Sequence, residues 1–206
     1  ERQEMAKSLS NSLYLGGFFA LPATAALLVL SPIIISGIFG YGAFDSTDVG
    51  ATASALIAYG IGLPAFVAQK LFQSVFYASN RPAIILRISL ATVAVNIILS
   101  VILMQYFGHI GLALGTSIAI WLGVFCQAIF LFKDQYLSAK SFPKLLPIIL
   151  SCILMAVILK LLNIWLTTIF QTDIYIVIIL VIAGLCVYFG MARIAGFLPS
   201  GLLKTV

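Results

Sequence analysis

Apolar residues along this chain come in long runs separated by short polar connections. A helix that crosses a bilayer needs about 20 predominantly apolar residues, because each residue rises 1.5 Å and the hydrocarbon is about 30 Å thick. Six stretches meet that length: Leu13 to Phe39, Ala51 to Ala78, Ala83 to Phe107, Gly111 to Phe132, Leu145 to Ile169 and Ile174 to Ala192. The pattern therefore predicts an all-α integral membrane protein with six transmembrane helices. It also predicts an organisation: a polar cytoplasmic segment over 1–12, four helices over 13–132, a cytoplasmic connection over 133–144, and a terminal helix pair with a cytoplasmic tail over 145–206.

Composition agrees, with 63% hydrophobic and 8% charged residues, against about 25% charged in soluble domains. The net charge of +5 would suggest acidic partners in a soluble protein. Here the Lys and Arg residues stand singly between apolar runs, so they bear on orientation, and no basic run suggests nucleic acid.

Excess Lys/Arg marks the cytoplasmic side of a membrane protein. Arg2 and Lys7 precede the first span; Arg81 and Arg87 flank the second connection; Lys133, Lys140 and Lys144 lie in the fourth; Arg193 and Lys204 follow the last span. The first, third and fifth connections carry Asp45 and Asp48, His109, and Asp173 instead. Strict alternation places both ends in the cytoplasm, and a wrong count of spans would have put positive charge on both sides. Lys160 is the exception, and snorkelling to the outer interface is expected of it.

The second span carries two costly features. Gly60, Gly62 and Pro64 interrupt it, and a helix-interior proline removes a backbone hydrogen bond at a cost of about 3 kcal/mol in water. Lys70 follows inside the same run, where a lysine costs about 2.5 to 3.5 kcal/mol on insertion scales. Gly60, Gly62 and Pro64 are read as a hinge. Lys70, with Gln69 beside it, is either a snorkelling or paired cation, or a cation facing a cavity. Lys70 lies about 10 Å from the cytoplasmic end of its span at Tyr77.

Asn96 and Ser100, four apart on one helix face, either bond to a neighbouring helix or line a cavity. Phe44, apolar in an acidic outer loop, is an interfacial anchor or, with Asp45, a gate. Ser46 or Thr47 with Asp48 is expected to cap the second helix. Gly111, Ala113, Gly115, Ser117 and Ala119 are expected to form one slim packing face. The last two spans, rich in Ile and Leu, present an apolar wall suited to lipid.

Several chemistries have no residues to carry them. GxSxG, HExxH, CxxC and a phosphate-binding glycine loop are all missing from the sequence. Cys126, Cys152 and Cys186 sit in apolar runs without ligand or disulfide spacing, and the acidic residues lie near loops or ends. No catalytic residue, metal site or cofactor is expected, and the chain does not read as an enzyme. It opens at Glu1 on a polar segment without the apolar core of a signal peptide, and reads as a piece of something longer.

GYGAFDSTDV, the AYGIGLPAF break, AQKLFQSVFYASNRP, Asn96 and GHIGLALGTSIAIW resemble, in that order, the C-terminal half of the MurJ/MviN family of lipid II flippases. The resemblance runs from Glu1 to about Trp121, and beyond that by position and character. It implies the last six helices of a fourteen-helix, two-lobe exporter fold in the bacterial inner membrane. It implies alternating access, with lipid II or a similar undecaprenyl-pyrophosphate-linked substrate as cargo, membrane lipids around it, and an N-terminal half of the same protein as partner. It implies a groove for the polyprenyl tail at the terminal helix pair. Lys70 falls at the family's lysine. Ser79-Asn80-Arg81-Pro82 departs from the acidic residue and threonine common there, and Ser100 replaces a second asparagine. The pyrophosphate-binding arginines belong to helices outside this sequence. Another exporter of the same superfamily, or a non-transporting scaffold of the cell-wall machinery, are the competing readings.

Overall fold

The structure is a computed structural model that describes residues 2–137, 145–170 and 172–199. Among these residues it is all helix: α1 Arg2–Phe39, α2 Ser46–Ala78, α3 Pro82–Phe107, α4 His109–Lys133, α5 Leu146–Ile169 and α6 Asp173–Ile194. All six are long and apolar enough to cross a membrane. A helix suits hydrocarbon, because each of its backbone N–H and C=O groups finds a partner within the segment.

The polar segment over 1–12 is helical from Arg2 onward and forms the first turns of α1. With 38 residues, α1 is about 57 Å long, far more than a bilayer needs. The connection over 133–144 is described only to Leu137. Gln135 there takes a positive φ of 63°, and Asn80 in the α2–α3 connection one of 55°, a conformation Asn tolerates better than most residues. Between α3 and α4, Gly108 has φ 57° and donates its N–H to the Met104 carbonyl at 2.9 Å, so one glycine serves as the whole turn.

The chain divides into two compact units that share α1 and α2. The first comprises Glu1–Ala20 and Ile61–Leu145. Its core gathers Leu9, Phe72, Val75, Phe76, Ile85, Val124 and Leu131. Tyr136 and Leu137 fold back onto this core, and their N–H groups both donate to the Leu131 carbonyl, at 2.9 and 3.2 Å. The pairing of α3 with α4 is close because α4 presents small residues to it: a Cβ at Gly111 would lie 2.3 Å from Leu103 backbone, and one at Gly123 2.5 Å from the Thr92 hydroxyl.

The second unit comprises Leu21–Gly60 and Leu146–Val206. Here α5 packs on α6, and Ile148, Met155 and Leu159 of α5 and Ile176, Leu180 and Tyr188 of α6 are all buried. Gly184 meets the Leu159 side chain. Outward-facing side chains in both units are apolar, among them Leu90, Ile97 and Val101 of α3 and Ile178, Ile182 and Leu185 of α6. Such a surface needs lipid rather than water against it.

Candidate substrate-facing site

The middle of α2 is where the sequence places its costs, and the helix runs through it unbroken from Ser46 to Ala78. Pro64 has no N–H to offer the Gly60 carbonyl. On that weakened turn the indole N–H of Trp121, from α4, donates to the Ile61 carbonyl at 3.0 Å. Neighbouring helices commonly supply such bonds at prolines in membrane spans. Gly62 is buried against Ser117, whose Oγ would sit 2.6 Å from an added Cβ. Gly60 lies under Leu27 at 3.3 Å. The division between the two units falls between Gly60 and Ile61, at the first residue of the glycine pair.

Two turns further on, Lys70 is exposed and has no ion pair or hydrogen bond among the described residues. Gln69 beside it is half-buried. Asn96 and Ser100, on α3, bond to each other: the Ser100 hydroxyl donates to Asn96 Oδ1 at 3.0 Å. This pair stays within one helix rather than reaching across to a neighbour, and both residues are half-buried.

The small residues of α4 do not form one face. Gly111, Gly115 and Gly123 meet α3, while Ser117 meets Gly62 of α2. Residues two apart on a helix point 200° apart, so alternate small residues serve two neighbours, and both sides are buried.

In the loop between α1 and α2, Asp45 caps α2. Its Oδ1 accepts the N–H groups of Thr47 at 2.8 Å and Asp48 at 3.0 Å, and Asp48 Oδ2 accepts the Asp45 N–H at 3.3 Å. This is a reciprocal capping box built on two aspartates, one residue earlier than the expected Ser46 or Thr47. The Asp48 and Thr47 N–H groups hold the Asp45 carboxyl below the usual carboxylate range. Phe44 is half-buried, and its ring lies 6.2 Å from that of Phe39 at the end of α1.

In the second unit an apolar groove of about 360 Å³ runs between α1 and α5. Leu21, Leu28, Ile149 and Ile153 are among its walls, and Lys160 stands at one end. Lys160 is nine residues, or about 14 Å, from the end of α5. Thr24 also lines the groove, and its hydroxyl is buried with no partner among the described residues.

Other contacts join residues far apart in sequence. Arg81 donates to Asp134 at 2.6 Å, tying the α2–α3 connection to the end of α4. The Ser36 hydroxyl donates to Asp173, where α1 meets the first turn of α6 beside Gly37. Gln127 is fully buried on α4, with neither side-chain amide atom bonded among the described residues. A glutamine inside an apolar span was a visible signal, but its burial was not.

A fold of six apolar helices whose outward faces need hydrocarbon, with an unpaired lysine and amide-bearing helices in one unit and an apolar groove in the other, defines a multi-pass helical membrane protein. The sequence profile described as "Lipid II flippase MurJ" matches residues 1–185, and the chain belongs to that family. It is 32% identical over 193 residues to a probable lipid II flippase MurJ of Rickettsia prowazekii (strain Madrid E), covering 90% of this chain and 38% of that protein. It is 33% identical to one from Buchnera aphidicola subsp. Acyrthosiphon pisum, covering 76% of this chain and 31% of the relative. A solved structure of lipid II flippase MurJ in an inward closed conformation aligns with TM-score 0.75 at 30% identity, over 94% of this chain and 40% of that one. The chain thus spans less than two-fifths of the length of these two relatives.

Proposed function

We propose that this chain is part of a transporter that flips the lipid-linked peptidoglycan precursor, lipid II, across the bacterial inner membrane by alternating access. Membership of the flippase family carries the reading. In it, Lys70 is a cation of the substrate cavity, with Gln69 and Asn96 as its polar neighbours on the cavity wall. What supports this is a lysine inside a membrane span that is exposed and unpaired, since intramembrane charges that survive are usually functional. The groove between α1 and α5 takes the polyprenyl chain of the substrate, favoured by its apolar walls. The rest of the cavity comes from the remainder of the longer protein, and both ends of this segment face the cytoplasm, as the Lys/Arg distribution favours.

Gly60, Gly62 and Pro64 act as the hinge of α2, at the point where the helix passes from one compact unit to the other. In the outer loop, Phe44 anchors the interface and Asp45 holds the start of α2, with any gating secondary to these roles. The test is Lys70→Ala in the full-length protein, in a strain depleted of its lipid II flippase. Normal expression with impaired growth is expected. Full complementation by the variant would sink the cavity role of Lys70, and failure of the unaltered full-length protein to restore growth would sink the transport reading itself.

A further inference from the structure

Three prolines stand inside the two longest helices, Pro22 and Pro32 in α1 and Pro64 in α2, and the transport reading uses only the last. Each leaves the carbonyl four residues earlier, that of Phe18, Leu28 or Gly60, without its N–H partner. A helix bends more easily at such a turn than elsewhere along its length.

The two compact units divide α1 between Ala20 and Leu21, and α2 between Gly60 and Ile61. Both divisions fall within a turn that a proline weakens, residues 18–22 in α1 and 60–64 in α2. In α2 the change of partner takes place between adjacent residues. A Cβ at Gly60 would meet the Leu27 side chain at 3.3 Å, in the second unit, whereas the Ile61 carbonyl accepts the Trp121 indole N–H at 3.0 Å, in the first. Pro32 supplies a comparison within the same helix. It weakens α1 in the same way, yet its turn lies wholly inside the second unit.

Register connects the two divisions. In the first unit a Cβ at Gly16 of α1 would meet Val67 and Leu71 of α2 at 2.8 and 3.1 Å, and in the second unit Leu27 lies against Gly60. The helices therefore run antiparallel, and counting toward the middle from either pairing at 1.5 Å per residue brings Pro22 level with Pro64. No proline of α2 stands at the level of Pro32. Two helices packed side by side splint each other, so a weak turn in one is of little use where its neighbour is unbroken. Weak turns at one level let both bend together, and of the three prolines only Pro22 and Pro64 are so placed.

We propose that Pro22 and Pro64 form a single paired hinge. About it, the N-terminal part of α1 and the C-terminal part of α2 move with α3 and α4, while the remaining parts of both helices move with α5 and α6. The pairing rests on the reading of α2 as hinged and gives α1 an equal share in the motion.

Two of the chain's own cysteines supply the probe sites, since Cys126 on α4 and Cys186 on α6 are exposed and lie one in each unit. The full-length protein, with its other cysteines replaced, is spin-labelled at these two in lipid nanodiscs, and the distance between the labels is read by double electron–electron resonance. Pro22→Ala, Pro64→Ala, the two together and Pro32→Ala are compared with the unaltered protein. Alanine restores the N–H and is the better helix former, so the variants are expected to keep the fold. The unaltered protein should give a broad or two-peaked distribution. Either Pro22→Ala or Pro64→Ala should narrow it to the spread of a label pair within the first unit, Cys126 with Tyr106→Cys, and the double variant should narrow it no further. Pro32→Ala should leave it broad.

A distribution in the unaltered protein as narrow as that of the within-unit pair overturns the hinge altogether. Narrowing by Pro64→Ala but not by Pro22→Ala overturns the pairing while leaving the hinge of α2 intact. Equal narrowing by Pro32→Ala also overturns it, because level would then not matter. Hydrogen exchange on the unaltered protein gives a check that needs no variant: residues 18–24 and 60–66 should exchange faster than 28–34, and equal rates in all three overturn the paired hinge. Growth of the depleted strain tests the transport reading separately.

Discussion

Gly115→Ala puts a methyl group where α3 and α4 touch. The added Cβ would lie 2.7 Å from Ser100 Oγ, 2.8 Å from Ser100 N and 2.9 Å from Ser100 Cα. A serine hydroxyl can swing aside, but backbone atoms cannot, so the two helices have to part by several tenths of an ångström. Parting them also loosens Gly111 against Leu103 and Gly123 against Thr92, because the three contacts lie along one seam. Overpacking of this kind costs about 1 to 3 kcal/mol. Alanine's better helix propensity returns about 1 kcal/mol, so the net change is destabilising by roughly 0 to 2 kcal/mol.

Gly190→Ala on α6 is the matched control. Nothing lies within 4 Å of its Cβ position, so only the propensity gain applies. The difference between the two variants isolates the packing cost of about 1 to 3 kcal/mol. Unfolding of the full-length protein by SDS titration in mixed micelles measures it. If Gly115→Ala proves as stable as Gly190→Ala, the close α3–α4 seam is not what holds this unit together.

Other expectations are simpler. Trp121→Phe removes the donor to the Ile61 carbonyl and should cost about 0.6 kcal/mol, at most about 1.7, with faster hydrogen exchange confined to the turn around Pro64. A double-mutant cycle on Arg81→Ala and Asp134→Ala should give a coupling of about 0.2 to 1 kcal/mol, since both side chains are partly exposed; a value near zero would remove the pair as a clamp on the α2–α3 connection. Asp45 has a carboxyl pKa held down in the folded state, so its contribution is present above the ordinary carboxylate range and is lost as pH falls through the depressed value. Hydrogen exchange in the first turn of α2 should therefore quicken at acid pH, and Asp45→Asn, an amide that also caps, should flatten that dependence.

How much of this was legible beforehand depends on the range over which each feature acts. Lys70 announced itself as an expensive residue in an apolar run, and its exposure gives that cost no internal partner. Asp45 was noticed as an acidic loop residue, whereas its capping work depends on a backbone geometry that no spacing displays. The groove at Lys160 needed α1 and α5, separated in the chain by three other helices, to be brought side by side.

The sequence by itself determined that the chain lives in a membrane and crosses it as six helices. Hydropathy acts within one segment at a time, and hydrocarbon accepts a single segment only if that segment satisfies its own backbone. Tertiary structure alone decided which helices meet. It carried α2 unbroken through Pro64 with Trp121 beside it, divided the small residues of α4 between two neighbours, and joined Arg81 to Asp134 and Ser36 to Asp173. The physical reason is that lipid is as apolar as the helices it surrounds, so burial gives little preference for one partner over another. The choice falls to close fit at glycine and to single hydrogen bonds between distant residues, and neither can be read from one segment alone.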